Sequence, residues 1–245
     1  MRILALDIET TPILCWTWGL WKQNIYPGQV VKPSQMLCWA AKWKGDTEVE
    51  FRGLKPDGRK RMVKRLWRLL DEADAVLHYN GRRFDIPHIQ REFLELGLKP
   101  PAPFKQIDLI ATAKRQFRFD SNKLDQVAKQ VGIGQKVEHE GFALWLRCID
   151  GEQSAWDRMR RYNEQDVRLT ERLYEVLRPW VTGHPSIAAM TGQDVCPKCG
   201  SDALEARGYA ALRTGRYRRF VCRSCGSWHR STRKVDGVQV TEIAA

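Results

Sequence analysis

Apolar positions recur first at strand spacing and then at helical spacing along the chain. Arg2-Ile3-Leu4-Ala5-Leu6 is a short apolar run that reads as a buried strand, and Asp7-Ile8-Glu9-Thr10 closes it. Side chains on a strand alternate faces, so Asp7 and Glu9 point the same way. Two carboxylates held side by side repel, which a fold tolerates where a cation bridges them. Two solvated acids in a turn are the alternative. Met36–Trp43 reads as a second strand and Thr47–Arg52 as a third, with Gly45-Asp46 as the tight turn between them. Three early strands with short links predict an antiparallel start to a sheet. Between the first two strands lie Trp16, Trp18, Trp21 and Tyr26, in a stretch punctuated by Gly19, Pro27, Gly28 and Pro33. Bases stack on exposed aromatics, but the expectation for most of these rings is a place in the core.

The spacing then turns helical. Met62, Val63, Leu66, Leu69 and Leu70 form the apolar stripe of a helix over about Arg59–Glu72. Lys60, Arg61, Lys64, Arg65 and Arg68 fill its other side, as a solvated face or as a surface that meets phosphates. Ala75–Tyr79 reads as a strand that runs into Asn80-Gly81-Arg82-Arg83-Phe84-Asp85-Ile86-Pro87. Asp85 stands at the mouth of a helix that reaches about Leu96, with Pro87 in its first turn. An Asp there can serve only as an N-cap. The Asn-Gly turn and two arginines before it suit a strand-to-helix junction at the carboxyl edge of a sheet, where α/β active sites form.

Past the stiff Pro100–Pro103 link, Gln106–Leu109 reads as the last short strand, entering a helix to about Phe117. Asp108 either joins an acidic site or caps locally. Ser121 or Asn122 is the expected cap of a helix through Val131, and Phe142–Leu146 is expected to be a short core helix. A final helix, about Glu152–Leu177, carries Tyr162 and Asp166 four apart on one face. Leu169, Leu173 and Leu177 keep an apolar stripe beside them. A carboxylate turned inward needs a partner, and a metal is one; an ion pair with Arg158 or Arg161 on the helix surface is the alternative.

Composition narrows the class. The 245 residues suffice for one medium domain and a small one, and 43% hydrophobic with 29% charged residues fits a soluble globular protein. Forty-one basic against 29 acidic residues leave a net charge of +12, which points to a polyanionic partner without separating DNA, RNA and an anionic membrane surface. No apolar run is long enough to span a bilayer, and acids interrupt the N-terminal run too early for a signal peptide. The expectation is therefore a cytoplasmic protein with reduced thiols and no membrane partner. Cys15, Cys38 and Cys148 are read as such thiols.

The tail has a different character. Thr182-Gly183-His184-Pro185 breaks the last helix, and residues 183–194 read as a linker. Cys196-Pro197-Lys198-Cys199-Gly200 and Cys222-Arg223-Ser224-Cys225-Gly226 are two CxxC knuckles, each followed by Gly, with 22 residues between them. That spacing fits a zinc ribbon with four thiolate ligands, Cys196, Cys199, Cys222 and Cys225, over residues 195–245. Four thiolates leave no open position, so the Zn²⁺ is structural, and so small a module depends on it to fold. Arg216, Arg218 and Arg219 interleave with Tyr217 and Phe220, as in surfaces that bind nucleic acid. The rings alternatively fill the small core, and ribbons of this type also bind proteins.

Taken together, Asp7-x-Glu9, Asn80-x4-Asp85 and Tyr162-x3-Asp166 resemble the three motifs of the DEDD (DnaQ-like) 3′–5′ exonuclease superfamily, in its Tyr-type branch. Tyr79-Asn80-Gly81, Phe84-Asp85-Ile86-Pro87, Lys123–Ala128 and Tyr162-Asn163 are similar to the exonuclease domain of family B DNA polymerases. The resemblance covers about residues 1–180 and implies an α/β, RNase H-like fold over residues 1–182. That fold is a mixed five-stranded sheet with flanking helices, its first three strands antiparallel, joined here to the small C-terminal zinc ribbon. It implies a two-metal exonuclease that uses two Mg²⁺ or Mn²⁺ and releases nucleoside 5′-monophosphates from DNA, preferably single-stranded. Asp7 would bridge both ions, Glu9 and Asp166 complete one site, Asp85 hold the second, and Tyr162 orient the attacking water. Thr10, Thr11 and Asn80 would lie near the terminal nucleotide, and Arg82 and Arg83 near phosphates. The same chemistry on RNA, or a non-catalytic nucleic-acid-binding protein on this scaffold, are the alternatives.

Overall fold

The computed structural model describes residues 1–136 and 140–236, so the last nine positions of the expected ribbon lie outside the described residues. Arg2–Tyr174 form one compact unit and the chain from Glu175 onward a second.

The first unit is built on β1 (Ile3–Thr10), followed by β2 (Leu14–Cys15), β3 (Val30–Lys32), β4 (Met36–Trp43) and β5 (Glu50–Gly53). Then come the short α1 (Leu54–Asp57), α2 (Arg59–Asp71), β6 (Ala75–His78), α3 (Asp85–Glu95), β7 (Lys105–Asp108) and α4 (Leu109–Gln116). Helices α5 (Leu124–Gln130), α6 (Phe142–Asp150) and α7 (Gln153–Leu177) follow. Five strands make one sheet in the order β5-β4-β1-β6-β7. β1 pairs antiparallel with β4 and parallel with β6, so the mixed sheet with an antiparallel start is as expected. The third strand is displaced, spanning Glu50–Gly53 rather than starting at Thr47. β2 and β3 form a separate two-stranded ribbon between β1 and β4.

Alternation along β1 divides its two faces. Leu4, Leu6 and Ile8 pack with Met62, Leu66, Ile89 and Phe93 of α2 and α3. On the opposite face, Leu37 and Cys38 of β4 pack with Leu144, Cys148, Trp156, Met159 and Tyr162 of α6 and α7. Each fully buried Leu of this kind contributes about 1.5–3 kcal/mol. The stripe expected on α2 is the buried one, with Met62, Val63, Leu66, Leu69 and Leu70 inside.

Three expectations are corrected. Trp16, Trp18, Trp21 and Tyr26 are exposed and fill no core; they lie between β2 and β3 or beside them, and those strands pair with each other and not with the five-stranded sheet. The core helix near Phe142 is longer than expected and buries Leu144 and Cys148, while Phe142 and Leu146 face out. Neither Ser121 nor Asn122 caps α5; Lys123 holds the cap position with no side-chain bond, and Ser121 instead accepts from the Lys123 N–H at 3.3 Å.

The second unit contains α8 (Ile187–Thr191), which falls within residues 183–194, and an antiparallel three-stranded sheet. Its strands are β8 (Leu204–Leu212), β9 (Gly215–Cys222) and β10 (Trp228–Asp236), with β9 in the middle. Among the described residues no helix is long and apolar enough to cross a membrane.

Candidate active site

Four carboxylates converge at the carboxyl end of β1. Asp7 and Glu9 lie on the same face of the strand, as their spacing requires, and both stay partly accessible. The pairing of β1 with β4 shifts register between Glu9 and Thr10, a bulge that ends the ladder beside the acids. Asp85, 3% exposed, is the first residue of α3 and does not cap it: Phe84 holds the N-cap, and the Asp85 Oδ1 accepts from the Ile8 N–H at 3.0 Å. That bond ties the second motif to the strand of the first. Asp166, 1% exposed, reaches the cluster from α7. Its Oδ2 pairs with Lys136, and Arg158 pairs with Glu140.

The junction that presents Asp85 is tightly built. Asn80 has φ +70°, the left-handed region that Asn tolerates. A Cβ on Gly81 would stand 2.5 Å from the His78 ring, so only Gly fits there. The Asn80 N–H donates to Asp108 Oδ1 at 2.8 Å, and the Gly81 N–H donates to His78 Nδ1 at 3.1 Å. Asp108 also accepts from the Ile110 N–H and caps α4, so its capping reading is the one realised.

Electrostatics follow from the crowding. Burial, then the charges of Asp166, Asp85 and Glu9, hold the Asp7 carboxyl well above the usual carboxylate range. Burial pushes Glu9 up to about 8, against the opposing pull of the Lys136 ammonium. Burial raises Asp85 to about 6. Without added positive charge, these carboxyls resist joint ionisation near neutrality.

Lys136 supplies part of that charge, and sequence reasoning missed it. Its Nζ bonds the Asp166 Oδ2 and lies 3.2 Å from the Tyr162 hydroxyl, with the ammonium 5.2 Å from the Tyr162 ring centre. Burial opposes its charge, but Asp166 and Tyr162 outweigh that and hold Lys136 above its ordinary value. The Lys136 N–H donates to Asp125 Oδ1 at 2.9 Å, which anchors the loop to α5. Asn163 was also missed as a partner: its Nδ2 donates to Asp7 Oδ2 at 2.6 Å and fixes that carboxylate. Nothing in the local spacing of Lys136 signals its place. Asn163 stands next to Tyr162, and its complete burial is the signal that helix periodicity carried.

Tyr162, 7% exposed, has its ring 6.0 Å from Trp145 in an edge-on arrangement. The Trp145 side chain in turn bonds Glu9. Burial and the Asp166 charge raise Tyr162 further above its ordinary value, so its hydroxyl keeps its proton at neutral pH. Thr11 is buried, with its N–H on Gln35 O at 2.8 Å and its Oγ1 accepting from Gln35 N–H at 3.0 Å. Thr10 and Asn80 are half-buried and Arg82 and Arg83 exposed.

The donor set is chemically that of a divalent cation site, while among the described residues the four tail cysteines are the group whose ligand atoms all lie within 4.8 Å of one another. Among the described residues four oxygen-donor carboxylates face the Lys136 ammonium, and the shortage of positive charge registers in the raised carboxyls. Oxygen ligands suit a hard divalent cation rather than a thiophilic metal.

The tail cysteines meet a different test. The ligand atoms of Cys196, Cys199, Cys222 and Cys225 all lie within 4.8 Å of one another. The Sγ–Sγ separations of Cys196–Cys225 and Cys199–Cys222 are both 3.6 Å. A tetrahedron with Zn–S bonds of about 2.3 Å has edges of about 3.8 Å, so the cluster matches a zinc site. His229 on β10 stands beside it, its Nε2 3.3 Å from Cys196 Sγ. Arg216, Arg218 and Arg219 are exposed on β9 and lie over aromatic rings. Arg216 and Arg218 cover Tyr209, at 4.5 and 5.6 Å, and Arg219 covers Trp228 at 4.9 Å. Tyr217 is the ring that fills the small core, as its alternative reading had it.

The sheet order and this cluster define an RNase H-like α/β protein, and a sequence profile of the RNase_H superfamily matches residues 36–178. The chain belongs to that superfamily. It is 31% identical over 142 residues to DNA polymerase 1 of Aeropyrum pernix, a match that covers 52% of this chain and 14% of the polymerase. The chain thus spans about a seventh of the length of that relative. The family B DNA polymerase of Pyrobaculum calidifontis shares the fold, with a TM-score of 0.56 at 19% identity over 73% of this chain and 24% of that one. Homology to DNA polymerases, first read from the motifs, therefore holds in sequence and in fold.

Proposed function

We propose that this chain is a metal-dependent 3′–5′ exonuclease that hydrolyses single-stranded DNA from its 3′ end and releases nucleoside 5′-monophosphates. The observation that carries the reading is the meeting of Asp7, Glu9, Asp85 and Asp166 beside the protonated Tyr162 hydroxyl, drawn from three separate elements. Two Mg²⁺ or Mn²⁺ held by these carboxylates would supply water activation and neutralise the leaving 3′ oxygen.

The chain's own residues do the rest. Asp7 feels the charges of Glu9, Asp85 and Asp166 and would help hold the cations, with Asn163 fixing its rotamer. Glu9 and Asp166 would hold one cation, and Asp85, locked by the Ile8 N–H, would hold the other. Tyr162 stays a hydroxyl and so orients the attacking water instead of acting as its base. Lys136 holds Asp166 and Tyr162 in one arrangement and offsets the Asp166 charge. Thr10, Thr11 and Asn80 border the terminal nucleotide, and exposed Arg82 and Arg83 meet phosphates.

Residues 1–182 carry the nuclease, 183–194 the link and 195–245 the ribbon. The ribbon takes one structural Zn²⁺, and Arg216, Arg218 and Arg219, already stacked on rings, add grip on nucleic acid.

The test is digestion of 5′-labelled DNA and RNA of one sequence, single-stranded, in Mg²⁺. The expected result is a ladder that shortens from the 3′ end of DNA, with 5′-mononucleotides as products. Faster shortening of RNA reassigns the enzyme as an exoribonuclease, and internal cuts contradict the exonuclease.

A further inference from the structure

We propose that the β2–β3 ribbon and its connecting loop form a stacking platform for the bases of a single-stranded nucleic acid. Trp16, Trp18, Leu20, Trp21 and Tyr26 are 76%, 98%, 90%, 83% and 68% exposed. Single exposed apolar residues are ordinary, but this many within one short connection mark an interaction surface.

The ribbon is held in shape by its own hydrogen bonds. The Trp16 N–H donates to Gln29 O at 2.9 Å, and the Gln29 amide returns a bond to Trp16 O at 2.9 Å. The Gln29 Oε1 accepts from the Tyr26 N–H at 2.9 Å. One side chain thereby clamps both arms and leaves the indoles free to face outward.

Three observations select the occupant. The surface is aromatic rather than aliphatic, and every base offers a face to an indole whatever its sequence. No Asp or Glu occurs between Thr10 and Gly45, while Lys22 and Lys32 lie on the ribbon itself, so it attracts a polyanion. Both ends of the ribbon meet at the acidic cluster. Thr11 precedes it, Gln35 follows it, and the two are joined by two hydrogen bonds just past Asp7 and Glu9. A strand whose end enters that cluster passes the ribbon. A duplex hides its base faces, so the occupant is single-stranded. The choice of occupant rests on the nuclease reading above.

The experiment uses the full chain in buffer without Mg²⁺ or Mn²⁺, so that binding is read apart from cleavage. Fluorescence anisotropy compares a labelled oligothymidylate of about twenty nucleotides with an abasic strand of equal length and charge. Trp18→Ala/Trp21→Ala weakens oligothymidylate binding at least about tenfold and leaves the abasic strand unchanged. Trp18→Phe/Trp21→Phe stays within about threefold of wild type. Both positions are exposed, so the circular dichroism of the variants matches wild type. Equal oligothymidylate affinity in wild type and the alanine variant overturns the platform. So does an equal loss on the abasic strand, which would make the contact one of charge. Loss of self-association or of binding to phosphatidylglycerol vesicles in the alanine variant, with oligothymidylate affinity unchanged, overturns it in favour of a protein or lipid face. A wild type that still cleaves nothing once Mg²⁺ is added, while the alanine variant loses oligothymidylate affinity, leaves the platform standing and overturns the nuclease reading.

Discussion

Replacing Glu9 by Gln removes one of the buried carboxyls whose ionisation strains the metal-free protein. Glu9 is held at about 8 against an ordinary value of 4.5, chiefly by burial. Between those values the unfolded chain carries the charge and the folded chain still binds the proton. Stability therefore falls as pH rises through this window: the advantage is complete below 4.5 and gone above about 8. The slope is about 1.4 kcal/mol per pH unit, and the full difference is about 3–5 kcal/mol once solvent access to the cleft is allowed for. Gln keeps an oxygen for the Trp145 bond and cannot ionise. The assay is urea unfolding at pH 5 to 9, with one equivalent of Zn²⁺ for the ribbon and no other divalent cation. Wild type loses stability steadily over this range. Glu9→Gln loses less and is the more stable protein at pH 9, with Asp7, held well above its ordinary value, and Asp85, held at about 6, retaining a slope in both. Addition of Mg²⁺ at pH 8 restores wild type and does little for the variant. Parallel pH profiles for the two proteins would refute the electrostatic account of the cluster.

Lys136→Met leaves Asp166 buried without its ammonium and costs about 3 kcal/mol in Mg²⁺-free buffer, read by urea unfolding, with most of the loss recovered in Mg²⁺. Tyr162→Phe keeps the ring packed on Trp145 and removes only the hydroxyl, so single-turnover cleavage slows about 10- to 100-fold while strand affinity holds. Substitution of Co²⁺ into the tail gives the charge-transfer bands of a tetrathiolate site, and Cys199→Ser abolishes that spectrum.

Features set by short-range spacing were legible in the chain. Asp7 and Glu9 share a strand face, Tyr162 and Asp166 a helix face, and the four cysteines a pair of knuckles. The helix stripe of α2 was equally readable. The contacts that finish the site were not, because they join segments far apart in sequence. Lys136 meets Asp166 across 30 positions, and Asn163 meets Asp7 across 156. His229 reaches Cys196 across 33. Trp18 and Trp39 show a second limit. Both are indoles among apolar neighbours, yet one is 98% exposed and the other fully buried. Trp39 lies on a strand covered by α2, with its Nε1–H on Met62 O at 3.0 Å, and Trp18 lies between β2 and β3, left 98% exposed by the described residues. Ring chemistry is the same at both positions; only the path of the backbone separates them.

The most direct test of the central claim is the rate of mononucleotide release from the 3′ end of single-stranded DNA. Wild type, Asp7→Ala and Asp166→Ala are purified identically and measured with and without Mg²⁺. Release by wild type in Mg²⁺ alone, with both variants reduced at least about a thousandfold, is the predicted result. Equal release by all three proteins, or none by wild type, would contradict it.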